Sequence, residues 1–363
     1  MAKFRSVFVA KDNGAASTVT PVALAAIAAG HEVFLVAEGL AIKRAREANL
    51  PIYGEGTENF LEVPFLADPL KVLKDLHPDV LVIGQSEPGN LEIHFAQAAS
   101  LLDIAVVSLG DSWKGWVRNP VRPTLLGVLD QVDAVLAHER FGDGTKVFVS
   151  GNPGAKDVAV PGPLTHLLND LRKKFGKLIV YIGGSHVQTG PELELLIGCV
   201  KKTPNCGLIW RPHPKYEKVK RVSGETWFEH WRTLVASLGE RVISITPPAP
   251  SSNPFISVND QIACGSDLVV SGFSTVSTTA EWAGVRALML ETDATMRDLK
   301  ESSGLDQIPL VTLGVAPSIK IPMDLTRLIY APRPSLDDVR KKLKPYNPTL
   351  VLSEIEALIA SRK

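Results

Sequence analysis

The stretch "SGFSTVSTTAEWAG" (271–284) places Ser271, Gly272, Phe273, Ser274 and Thr275 between a buried apolar run and a helix-like one. Where a strand becomes a helix, unpaired backbone N–H groups and the positive end of the helix dipole form a seat for an anion. The Ser274 and Thr275 hydroxyls either bond that anion or simply cap the helix. A second stretch, "IWRPHPKYE" (209–217), holds His213 between Pro212 and Pro214, each of which fixes φ. Arg211 and Lys215 flank it, so three candidate cations meet at one strand end. Charge-assisted hydrogen bonds of that kind suit a phosphate; the alternative is a rigid turn with a solvated basic face. A third stretch, "YIGGSHVQTGPE" (181–192), ends a strand in Gly183, Gly184, Ser185 and His186. It lacks both GxGxxG and GxxxxGK[ST], so it is neither a dinucleotide fingerprint nor a P-loop. Its glycines allow close approach to a ligand or, alternatively, make a tight turn.

The first half of the chain offers carboxylates instead. Apolar runs there are followed by Lys11-Asp12-Asn13-Gly14, Gln85-Ser86-Glu87 and Gly110-Asp111-Ser112-Trp113. A hydroxyl acceptor needs a general base. Asp111 is the first choice, with Asp12 and Glu87 as further candidates and His94 behind them. Trp113 and Trp116 follow Asp111 and offer aromatic faces for stacking on a sugar or base. Cap, turn and core roles are the structural alternatives.

These residues need elements to hold them. Short Val/Ile/Leu-rich runs recur at 6–10, 32–37, 79–84, 104–110 and 133–137, then at 177–184, 207–211, 241–246, 267–272 and 286–291. Continuous apolar runs suit strands of parallel sheets covered on both faces by helices. Helical segments alternate with them: 91–102, 191–202, and one starting with Thr20 as cap and Pro21 in the first turn, with Gly30 just past its end. The expected fold class is α/β, with two Rossmann-like doubly wound domains facing a cleft. Residues 1–155 are expected to form one domain and 156–334 the second, with a Gly/Pro-rich crossover at 150–166. Residues 335–363 read as two helices broken around Pro345 and Pro348, candidates to pack back on the first domain.

Composition bounds the classes. The chain has 363 residues, and its 39 Lys+Arg balance 39 Asp+Glu, giving no bulk attraction for nucleic acid or anionic membrane. A local patch such as Lys215–Arg221 leaves a nucleic-acid acceptor open. Three cysteines, Cys199, Cys206 and Cys264, without a CxxC, point to neither a disulfide framework nor a zinc site. No signal-peptide pattern and no membrane-length apolar stretch occurs, so a cytoplasmic protein is expected.

Taken together, these motifs resemble the GT-B glycosyltransferase architecture. The His-Pro at 213–214 and Ser-Thr at 274–275 are similar to short motifs of bacterial sialyltransferases and related capsule-sugar and glycerophosphate transferases. "GNP" at 151–153 resembles the hinge of non-hydrolysing UDP-GlcNAc 2-epimerases. The resemblance implies a glycosyltransferase moving a sugar from a UDP- or CMP-type donor to an acceptor hydroxyl on a glycan or another molecule. The donor phosphate would lie against His213, Ser274 and Thr275. It implies no cofactor or metal; the nucleotide sugar is substrate. Many members hold the donor ribose with a glutamate five residues before the glycine matching Gly284. Thr279 stands there, and Glu281, three before Gly284, is the substitute candidate. Phe273 replaces the first of the paired glutamates of retaining enzymes, which favours inversion. A nucleotide-sugar epimerase of the same fold and a non-catalytic nucleotide- or glycan-binding protein are the alternatives.

Overall fold

Apolar runs of four to six residues are best placed in sheets covered on both faces, and in this chain they form two parallel sheets. The computed structural model describes residues 3–53, 68–86, 90–184, 189–245 and 256–362. Strands and helices alternate as β1 (Arg5–Ala10), α1 (Asn13–Ala28), β2 (Glu32–Ala37), α2 (Gly39–Glu47), α3 (Pro69–Leu76), β3 (Val80–Ile83), α4 (Asn90–Leu101), β4 (Ala105–Leu109), β5 (Leu125–Val128), α5 (Gln131–Phe141) and β6 (Lys146–Val149). They continue as α6 (Gly162–Phe175), β7 (Lys177–Ile182), α7 (Thr189–Lys202), β8 (Cys206–Arg211), α8 (Trp227–Ala236), β9 (Val242–Ile243), α9 (Val258–Cys264), β10 (Leu268–Ser271), α10 (Thr275–Trp282) and β11 (Ala287–Leu290). The chain closes with α11 (Asp293–Ser303), α12 (Pro309–Thr312), β12 (Ser318–Ile319), α13 (Thr326–Tyr330), α14 (Leu336–Lys342) and α15 (Pro348–Arg362). Two compact units result: 1–153 with 344–363, and 154–343.

Each unit is built on a six-stranded sheet, in the orders β2-β1-β3-β4-β5-β6 and β12-β11-β10-β7-β8-β9. Every strand pair is parallel. This is the doubly wound α/β architecture, two Rossmann-like units. In the first sheet the strand order reverses between β1 and β3, and in the second between β7 and β10. Such switch points open a crevice at the carboxyl ends of the flanking strands.

Two local readings are corrected. Residues 133–137 are not a strand but part of α5. Asp130 starts that helix by accepting from the Asp133 amide at 3.0 Å, and Val135 is 50% exposed, which a doubly covered strand forbids. The strands that take its place, β5 and β6, are short, and Gly127 interrupts the apolar pattern of β5. Thr20 does not cap a helix either. Asp12 caps α1, and Pro21 lies inside it.

In the first unit, α15 packs on α1 through Val351, Leu352, Ile355 and Ile359, all in one core with Ala16, Val19 and Ala23. His31 Nε2 lies 3.0 Å from Glu356 Oε1, and the Tyr346 hydroxyl donates to the Thr18 carbonyl at 2.8 Å. The segment before α15 is pinned beside Ser150–Asn152 by Asn152 N–H to Lys344 O at 2.8 Å and Asn347 N–H to Ser150 O at 2.9 Å. Gly151 makes that approach possible. Its φ is +94°, and an added Cβ would stand 2.1 Å from the Pro345 carbonyl oxygen. Gly151→Ala is therefore expected to lower stability by roughly 2–4 kcal/mol, combining left-handed strain with overpacking. Chemical denaturation checks this, and an unchanged midpoint would refute the tight pairing.

Candidate functional site

The two switch points carry different chemistry. In the first unit, Asp12 follows β1 and caps α1, its Oδ1 accepting from the Ala15 amide at 2.8 Å. The backbone before it is held by β3 and α4. The Lys11 and Asp12 amides donate to Ser86 Oγ at 3.2 and 3.0 Å. The Lys11 amide also donates to Glu92 Oε1 at 3.0 Å, and the Ser86 hydroxyl bonds the same oxygen. Glu92 is 2% exposed. Burial pushes its pKa up, against the pull of Ser86. Its Oε2 and the Oε1 of buried Gln85 have no hydrogen-bond partner among the described residues.

Asp111, at the end of β4, belongs to this same cluster. Its carboxyl lies against the start of α1, so close that a Cβ on Gly14 would stand 1.8 Å from Asp111 Oδ2. The Ser112 hydroxyl reaches Oδ1 at 3.4 Å. Burial, then the charge of Asp12, raises its pKa to about 7, with Arg118 opposing. The structure therefore brings Asp12 and Asp111 together, with Glu92 behind Asp12. Such a carboxyl group both gives and takes a proton near neutral pH. Glu87 lies outside the described residues, and His94 is exposed on α4.

Trp113 and Trp116 take the core alternative, which corrects the stacking role expected of them. Each is 2% exposed. Trp113 Nε1 donates to Asp130 Oδ2 at 2.6 Å and Trp116 Nε1 to Asp133 Oδ1 at 3.0 Å. Two buried carboxylates and two buried indoles satisfy one another.

In the second unit, the ends of β7, β8 and β10 meet. A Cβ on Gly183 would stand 3.2 Å from Pro212 Cα and 3.3 Å from the His213 nitrogen, and one on Gly184 3.6 Å from the Phe273 carbonyl oxygen. Gly183, Gly184, His213 and Phe273 thus surround one point at the switch. Ser274 caps α10, its Oγ accepting from the Val276 amide at 3.3 Å. Thr275 is exposed in the first turn. The His213 ring meets Tyr216 edge-on at 6.3 Å. Arg211 donates to Asn259 Oδ1 at 3.0 Å and to the Ile245 carbonyl at 3.4 Å. It also lines a cavity of about 620 Å³ with Trp210, Phe228 and Arg232. Ser185 and His186 lie outside the described residues. Lys215 sits in the 3₁₀ turn Pro214–Glu217, and its side chain is outside them too.

Ser271 and Glu281 are withdrawn from the ligand set. Ser271 is fully buried and pairs Oγ to Oγ with Ser277 at 2.8 Å. Glu281 Oε1 accepts from the Ala287 amide at 2.6 Å, tying α10 to β11. Burial raises its pKa to about 7 although Arg286 and Arg333 oppose. It serves packing within the unit rather than a ribose.

One residue of this unit stands out although it follows no strand directly. Glu192, in the first turn of α7, is 6% exposed. It accepts from the Tyr181 hydroxyl and the Thr295 hydroxyl, both at 2.9 Å. A Cβ on Gly272 would stand 1.8 Å from its Oε1. Glu92 and Glu192 escape a search confined to the first residues after each strand. Their shared signal is an acid in the first turn of an apolar helix that follows a polar strand end.

Among the described residues, no group of three or more His, Cys, Asp or Glu is arranged to hold a metal ion. No described helix is long and apolar enough to cross a membrane.

At the level of sequence, no family model and no curated protein matches the chain. The fold has counterparts among solved structures. MnaA of S. aureus, in a co-structure with UDP, aligns with a TM-score of 0.63 at 13% identity, over 98% of this chain and 97% of its own. The UDP-GlcNAc 2-epimerase of Methanocaldococcus jannaschii, in complex with UDP-GlcNAc and UDP, gives 0.60 at 14% identity, over 98% and 99%. The glycosyltransferase SnogD of Streptomyces nogalater gives 0.56 at 16% identity, over 98% and 100%. The shared feature is the GT-B-like fold of two Rossmann-like units.

Asp111 holds its proton in the folded protein to about pH 7, against an ordinary value of 3.8. Between those values the folded state binds more protons than the unfolded one. The contribution of Asp111 to stability is therefore full below about pH 4 and lost as pH rises through 7. Asp111→Asn is expected to flatten part of that decline in urea midpoints measured from pH 4 to 8. An unchanged slope would refute the raised pKa of Asp111.

Proposed function

We propose that this protein is an enzyme acting on a nucleotide sugar, with epimerisation of a sugar carbon as its reaction. The observation that carries the reading is Asp111, a carboxyl group with a pKa near 7 beside Asp12 at the switch point of the first unit. Without a redox cofactor, inverting the carbon next to the anomeric centre needs its proton removed while the electron pair expels the nucleotide, then the nucleotide added back and a proton returned on the opposite face. A group that is partly protonated at neutral pH serves either step. The second unit supports the substrate class. Gly184 is partly open beside buried Gly183, and His213 and the first turn of α10 offer donors for a phosphate. Nucleotide sugars or their nucleotides occupy the S. aureus and M. jannaschii relatives of this fold, which adds weight to that class and to epimerisation. No step of the proposal uses a cofactor or a metal.

Transfer of the sugar to an acceptor hydroxyl is the second reading. SnogD favours it, as do the His-Pro and Ser-Thr motifs at 213–214 and 274–275. There Asp111 would take the proton of the acceptor, a glycan or another hydroxyl compound.

The two readings separate in deuterium oxide. With UDP- and CMP-sugars and no acceptor, epimerisation yields a second nucleotide sugar carrying deuterium at the inverted carbon, seen by NMR. Transfer leaves the donor unchanged until an acceptor hydroxyl is added, and then moves the sugar with no deuterium at its carbons. Asp111→Asn is expected to slow either reaction by about 100-fold or more. In the second unit, Ser274→Ala with Thr275→Val is expected to weaken nucleotide binding about tenfold, the loss of one charge-assisted hydrogen bond. Unchanged affinity would remove the α10 terminus from the phosphate seat.

A further inference from the structure

Glu192 lies against Gly272, at the start of the turn that the nucleotide reading makes the phosphate seat. The carboxyl joins four elements. Tyr181 of β7 donates to Oε2 and Thr295 of α11 to Oε1, each at 2.9 Å. Thr295 is itself fixed, Oγ1 to Oγ1 with Thr292, the cap of α11, at 2.7 Å. From the β10–α10 turn, Gly272 lies against the carboxyl, and its missing side chain lets the carboxyl in, since a Cβ there would overlap Oε1 at 1.8 Å. The turn that starts at Gly272 therefore packs directly on Glu192.

A negative charge here would oppose an anion bound on the far side of that turn, because few water molecules screen a buried site. We propose that Glu192 is a positioning residue of the anion seat, holding the Gly272 turn in place and coupling anion binding to its own proton uptake. The inference rests on the nucleotide-binding reading of the second unit. Burial raises the carboxyl to about 7, with the two hydroxyl donors opposing and the charge of Asp298 on α11 adding to the rise. From the turn after β8, Tyr216 is held protonated by its burial and then by the charges of the same pair of acids, Asp298 and Glu192. The imidazole of His213 stands edge-on to Tyr216, so it needs its own control.

The test uses the full chain and two probes, UDP and inorganic pyrophosphate, titrated calorimetrically from pH 6 to 8.5. The wild type is expected to take up a proton on binding and to lose about tenfold in affinity per pH unit above 7, the slope for one linked proton. Glu192→Gln keeps the acceptor oxygen for one donor and cannot ionise. It is expected to flatten the slope and to bind at least tenfold more tightly than the wild type at pH 8.5. A slope that survives in Glu192→Gln and vanishes in His213→Asn would assign the coupling to the histidine and overturn the proposal. Amide hydrogen exchange of the unliganded protein tests the positioning role separately. Glu192→Ala should speed exchange at Gly272 and Phe273 at least tenfold, with Glu192→Gln staying near the wild type. Equal exchange in all three proteins overturns the positioning role. If the wild type binds neither probe, the nucleotide reading and the proton coupling both fall, and the exchange data alone decide the positioning.

Discussion

In each unit a carboxyl group is pressed against the backbone of a glycine at the carboxyl edge of a parallel sheet. Asp111 meets Gly14 in the first unit and Glu192 meets Gly272 in the second, both so closely that a single methyl would overlap a carboxylate oxygen. The arrangement follows from the fold. Strands covered on both faces have no room for polar groups along their length, so polar side chains collect where the strands end. At a switch point the flanking helices diverge, and a side chain reaches inward there without crossing the core. Only glycine lets it come this near.

The carboxyl groups respond to that confinement in a common way. Taking a carboxylate out of water is costly unless it is paired or hydrogen-bonded. Glu192 receives two hydroxyl donors and Glu92 a hydroxyl and an amide. Burial is nonetheless the largest influence on each and raises each, Glu192 to about 7. An acid at that value switches near neutral pH. Glu281 has a similar pKa for the same reason, yet its bond to the Ala287 amide gives it a place in the packing. A raised pKa therefore distinguishes a site only where it coincides with the end of a strand at the switch point.

The hydroxyl-rich run 271–279 divides along the same line. Ser271 and Ser277 bond each other inside the core. Thr279 back-bonds to the Thr275 carbonyl at 3.4 Å, and Thr278 Oγ1 has no hydrogen-bond partner among the described residues. Ser274 caps the helix and Thr275 is exposed beside it. Hydroxyls one turn apart on a short helix point to different surroundings, so composition alone does not separate ligand contacts from packing.

The alternation of apolar runs and helical segments, written in the sequence, determined a doubly wound α/β fold, because a strand buried on both faces has no other stable partner. It also determined that Asp12, Asp111, Gly183, His213 and Ser274 stand at strand ends, since those residues follow the runs directly. Strand content near 125–149 was not legible, as Gly127 breaks the apolar pattern and Asp130 starts a helix across 133–137. What only the tertiary structure decided is which polar groups meet. Asp111 and Gly14 are distant in the chain, as are Glu192 and Gly272, and Trp113 turned inward because Asp130 was there to receive its N–H. The spacing of residues sets the element each belongs to; the order of strands in the sheet sets its neighbours, and neighbours decide whether a carboxyl group is a cap, a packing tie or an acid.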